Sequence, residues 1–106
     1  MTSTAKPPKR FVEFATRYPE LAKAWELSAE AGKEGPLDER TARLVKLAVA
    51  IGAMREGAAH ASVRKALAMG IEPEALEQVV ALSAGTIGMP ATVAAWGWVK
   101  DLLPEG

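Results

Sequence analysis

Between Leu37 and Gly70 the chain reads LDERTARLVKLAVAIGAMREGAAHASVRKALAMG, and this stretch constrains the fold more than any other. Leu44, Leu47, Ala48 and Ile51 recur at i, i+3, i+4 and i+7, a stripe that one face of an α-helix presents and a strand does not. Asp38 stands at the N-cap position of that helix, while Glu39, Arg40 and Lys46 can face water. The chain loosens around Gly52 to Gly57. Val63, Ala66 and Leu67 then mark a second helix, ended by Gly70 as a natural C′ residue.

The flanking sequence follows the same logic. A helix is predicted from about Pro8 to Arg17, with Phe11, Phe14 and Ala15 on one side. Another runs from Pro19, suited to a first turn because it lacks an N–H, to about Gly32. It groups Leu21, Ala24, Trp25, Leu27 and Ser28. GKEGP at residues 32–36 is a break. Pro73 opens a helix carrying Leu76, Val79, Val80 and Ser83, which fades near Gly85 to Gly88. Pro90 opens the last, with Val93, Trp96, Val99 and Leu102. No segment alternates with period 2, so the expectation is an all-α protein of about six helices. Residues 1–7 read as a loose tail and 8–106 as a single domain.

Apolar residues make up 49% of the chain, with small side chains such as Ala48, Ala50, Ala58, Ala59, Ala66 and Ala81 on several helix faces. A chain of 106 residues cannot bury so many faces alone, which points to a homo-oligomer. Thirteen basic and thirteen acidic residues cancel, so no field draws the protein to nucleic acid or to anionic lipid. The run Leu47 to Met54 falls far short of the roughly 20 residues a membrane helix needs. MTSTAKPPKR at the start has no apolar core that could serve as a signal peptide. A cytoplasmic protein is the expectation.

The ordered pieces LDERTARLVKLAVA, a glycine-containing turn, SVRKALAMG and IEPEALEQVVALSAGTIGMPATVAAW resemble the carboxymuconolactone decarboxylase / alkylhydroperoxidase D-like family. The resemblance spans roughly Leu37 to Trp98 and leaves the first two helices outside. It implies an alkylhydroperoxidase D-like helical fold assembled as a trimer or hexamer, with pockets between subunits. Redox-active members open the fourth helix with a C-x-x-C-x-x-x-H motif, and a glutamate on the preceding helix completes a proton relay. Laid on this chain, the two cysteines fall at Arg55 and Ala58, the histidine at Ser62 and the glutamate at Arg43. All four functional positions are changed, and the chain contains no cysteine anywhere.

At 100° per residue, positions 55, 58 and 62 lie within about 60° of one another, the placement that dithiol exchange requires. Here that face carries a guanidinium, a methyl and a hydroxyl, so dithiol peroxidase chemistry is closed to this protein. His60, the lone histidine, lies about 160° away from Ser62 around the helix and does not replace the lost base. It lies one turn from both Glu56 and Arg64. Glu56 and His60 form a candidate acid–base pair for proton abstraction, like the thiol-independent lactone decarboxylase branch of the family. The plainer reading, which the sequence favours, makes His60 a packed, hydrogen-bonded residue at a helix–helix or subunit contact. Arg43 and Arg55 are a lesser candidate pair for an anion, ion-paired or exposed arginines being much commoner. Of Trp96 and Trp98, one should pack inside and the other cover a neighbouring subunit. Gly85 and Gly88 form no phosphate loop, and neither a cofactor motif nor a metal site is legible.

Three functions follow as expectations. The first is a homo-oligomeric scaffold or small-molecule-binding protein that kept the fold and lost the chemistry. The second is a lyase of the lactone decarboxylase type, using Glu56 and His60 on a small carboxylated substrate between subunits. The third is an assembly designed on this scaffold, suggested by the bland AAHAS segment.

Overall fold

In the computed structural model, residues 7–104 are described, and they form six α-helices with no strand among them. The helices are α1 (Lys9–Arg17), α2 (Pro19–Ala31), α3 (Glu39–Gly52), α4 (Glu56–Ala68), α5 (Pro73–Ile87) and α6 (Met89–Lys100). Most of the tail expected over residues 1–7 lies outside the described residues. The chain divides into two compact units, one holding α1 and α2 and ending at Leu37, the other beginning at Asp38.

In the first unit α1 and α2 meet through aromatic rings. Phe11 stands edge-on to Trp25 with centroids 5.6 Å apart, and Phe14 lies 5.2 Å from Tyr18. The Arg17 guanidinium sits 4.7 Å from the centre of the Tyr18 ring. No residue of either helix is buried, and Leu21, Trp25 and Leu27 are all more than half exposed.

The second unit is a ring of four helices: α3 packs on α4 and α5, and α6 packs on both α5 and α4. Leu47, Ile51, Val63, Leu76, Val80 and Val99 supply its fully buried side chains, two from α3, one from α4, two from α5 and one from α6. Ala59, Ala66 and Ala95 lie between them with no exposed surface, so the helices approach closely where a side chain is only a methyl group. Trp98 packs against this core, whereas Trp96 stays 41% exposed with the Lys100 ammonium 5.3 Å from its ring.

Local chemistry fixes where α3 begins and where α3 and α4 end. The Asp38 carboxylate accepts a 2.7 Å hydrogen bond from the Thr41 amide, satisfying one of the four free N–H groups at the start of α3. Both α3 and α4 close with the same paired hydrogen bonds. Arg55 N–H bonds to Ala50 O and Met54 N–H to Ile51 O; Ile71 N–H bonds to Ala66 O and Gly70 N–H to Leu67 O. This closure needs a left-handed residue at its centre. Gly70 fills that place at φ 84°, but at the end of α3 the residue is Met54, at φ 55°. Gly88, at φ 86° and ψ 161°, is the one residue between α5 and α6, a conformation open only to glycine.

Candidate functional site

The tight α3–α4 corner puts Glu56 in the first turn of α4 and His60 one turn later on the same side. α6 packs on α4, and its chain leaves the helix at Lys100 in a turn that buries Leu103 in the core. Asp101, the first residue of that turn, therefore lies against α4, and its Oδ2 is 3.3 Å from His60 Nε2. One ligand-type atom from each of Glu56, His60 and Asp101 lies within 4.8 Å of the other two. The His60 side chain is 23% exposed and Asp101 59%. Lys100 does not neutralise the cluster, being bonded to Glu77 at 3.1 Å.

The four positions of the thiol motif do not share one environment. Arg55 caps α4 with its backbone alone and is exposed, as is Ala58, while Ser62 is buried at 6% exposure. Arg43 is half-buried on α3, and among the described residues its Nε has no hydrogen-bond partner. Burial pulls the Arg43 guanidinium below its ordinary pKa. The Lys65 ammonium on α4 is lowered too, first by burial and then by the positive charges of Arg43, Lys46 and Arg64. Arg43 thus belongs to a cationic patch across α3 and α4. Arg55 lies beyond the other end of α3, at the start of α4.

A groove of about 520 Å³ runs between α3 and α5. Leu44, Val45, Ala48, Val79, Leu82 and Ile87 give it an apolar lining, and Thr41, Gln78, Ser83 and Thr86 add a few polar groups. At its end Arg40 grips Glu72 with two hydrogen bonds of 2.7 and 3.1 Å. That pairing raises the Arg40 pKa and lowers the Glu72 pKa. Neither Glu56, His60 nor Asp101 lines the groove.

The family model described as carboxymuconolactone decarboxylase matches residues 19–101, most of the chain. The chain belongs to the carboxymuconolactone decarboxylase family. The match reaches back from Leu37 to Pro19, so it includes α2, which the motif resemblance alone left out. It ends at Asp101, so the whole Glu56–His60–Asp101 cluster lies inside the family region. No curated protein and no solved structure gives a significant match. With no cysteine, this is a member of the family without the means for thiol exchange. Sequence reasoning missed Asp101, which lies 41 residues from His60 with no local pattern joining them. It also missed the groove, which exists only once α3 and α5 are side by side.

Proposed function

We propose that this protein is a homo-oligomeric, small-molecule-binding member of the family that has abandoned dithiol chemistry. The α3–α5 groove carries the reading. Its size falls within the range of small-ligand sites, and a mostly apolar wall with a few hydrogen-bonding groups is what such sites present. The groove edge continues into apolar side chains left in water: Val45 is 44% exposed, Val49 65% and Leu82 72%. Met89, Val93 and Trp96 leave a second such strip along α6. Surfaces of this kind favour burial against further copies of the chain, a trimer or hexamer in which the groove becomes a pocket between subunits.

The ligand is a small, largely apolar molecule with one or two polar substituents. The test is titration of an environment-sensitive naphthalene dye, followed by its displacement with small lactones and aromatic acids, on wild type and Ala48→Trp. Ala48 is exposed on the groove wall, so the indole fills the groove without entering the core. Saturable dye binding weakened about tenfold or more by Ala48→Trp, roughly 1.4 kcal/mol, is the expected result. Equal affinity in both proteins would reject the groove as the site.

One observation favours the lyase reading: Glu56 and His60 stand together, with Asp101 beside them to orient the imidazole. The groove counts against it, because the acid–base pair is elsewhere. Turnover of a small carboxylated lactone that disappears in His60→Ala would restore it. A particle much larger than a hexamer in solution scattering would instead mark an assembly built by design.

A further inference from the structure

We infer that Glu56, His60 and Asp101 form a binding site for a divalent transition-metal ion of the zinc type. Two carboxylates and one imidazole are the donor set that Zn²⁺ and Co²⁺ accept, and the absence of any thiol removes the softer alternatives. The geometry is more specific than the composition. A tetrahedral zinc ion with bonds of about 2.0–2.1 Å holds adjacent ligand atoms about 3.3 Å apart. His60 Nε2 and Asp101 Oδ2 are 3.3 Å apart.

The backbone fixes two of the donors. His60 sits on a packed helix, one residue from the fully buried Ala59. Asp101 is held by its amide hydrogen bond to Gly97 O and by the buried Leu103 two residues on. Glu56 is an exposed side chain one helical turn from His60, with a carboxylate oxygen within 4.8 Å of both other donor atoms. Two carboxylates beside one imidazole also supply the anionic donors that a divalent cation takes. Three protein ligands leave a fourth position for water, the arrangement of an open rather than a structural site. All three residues are absent from the groove, so the inference stands or falls separately from the ligand-binding reading.

The test uses tag-free, chelator-treated protein titrated with Co²⁺ and with Zn²⁺. The expected result is one ion per chain at micromolar or tighter affinity, with the intense visible absorption of four-coordinate cobalt. His60→Ala and Asp101→Asn are expected to weaken binding about 100-fold or more, and Glu56→Gln about 10-fold or more. Glu56 and Asp101 are exposed enough for their variants to fold, as circular dichroism checks. Unchanged affinity in Asp101→Asn and Glu56→Gln would overturn the site. So would saturation only at millimolar metal, or a cobalt spectrum showing six-coordinate geometry.

Discussion

Two leucines on neighbouring helices provide a direct measure of assembly. Leu47 is fully buried and Leu82 is 72% exposed. Leu47→Ala leaves a cavity in the four-helix core and should cost about 2–5 kcal/mol whatever the oligomeric state. Leu82 has little more than a quarter of its surface out of water within its own chain. A fully buried leucine contributes about 1.5–3 kcal/mol, so in a lone subunit Leu82→Ala should cost about 0.4–0.8 kcal/mol. If copies of the chain cover the α3–α5 edge, the rest of that side chain is buried as well. The cost then rises to about 2 kcal/mol or more, and it must depend on protein concentration because association and folding are coupled. Urea unfolding followed by circular dichroism at two concentrations about a hundredfold apart distinguishes the cases, with light scattering for the mass. A Leu82→Ala penalty below about 1 kcal/mol at both concentrations would refute burial of this edge. A wild-type particle with the mass of one chain would refute the oligomer altogether.

The two helix closures predict opposite effects from opposite substitutions. Met54→Gly should stabilise by about 0.5–1 kcal/mol by removing a non-glycine residue from the left-handed region, and Gly70→Ala should destabilise by about 1 kcal/mol or more, both read from thermal unfolding. No atom lies within 4 Å of a Cβ added at Gly70, so any loss there reflects backbone conformation and not a clash. Arg43→Met should leave stability unchanged or raise it by about 1 kcal/mol, since it removes an unpartnered buried donor and a charge that repels Lys65; a clear loss would mean that Arg43 has an anionic partner in the assembly. Asp38 and Glu72 both have lowered carboxyl pKa values, Asp38 through the Thr41 amide and Glu72 through Arg40. Their stabilisation is fully present above the unfolded-state values near 3.8 and 4.5 and is lost as pH falls through the lower folded-state values. Asp38→Asn keeps an oxygen for the Thr41 amide but cannot titrate, so its stability should fall less steeply than wild type below about pH 4.

The helices were legible because their boundaries are local chemistry. Pro19, Pro73 and Pro90 each stand in a first turn, Asp38 caps α3, and Gly70 takes the left-handed place that the sequence assigned to it. The stripes were legible for the same reason: Leu47 and Ile51, or Leu76, Val79 and Val80, are brought to one face by a fixed period. The end of α3 was less legible, because Met54 has no chemical preference for its φ of 55° and holds it through two backbone hydrogen bonds. Trp96 and Trp98 were predicted to part company, but which of them meets the core depends on how α6 is rotated against its neighbours. The cluster around His60 was half legible. Glu56 follows from a spacing of four, whereas Asp101 follows only from the packing of α6 on α4.

The four positions onto which the resemblance lays the thiol motif differ in how freely they can be exchanged. Arg55 and Ala58, where thiols would stand, are exposed, so exchanging them removes nothing from the core. Arg43 and Ser62, where the relay would stand, are packed inward, and a substitution there must be absorbed by its surroundings. Serine is small, and Ser62 is buried on the same helix as Ala59, Val63 and Ala66. Arginine is larger, and its Nε has no hydrogen-bond partner among the described residues, while the Lys65 ammonium near it is lowered first by burial and then by the Arg43 charge. That unpartnered nitrogen leaves Arg43 at a cost to the α3–α4 packing that an apolar side chain would not carry. The His60 cluster lies on another side of α4, about 160° around the helix from Ser62. Any chemistry carried by that cluster therefore stands away from the face on which the resemblance lays the thiol motif.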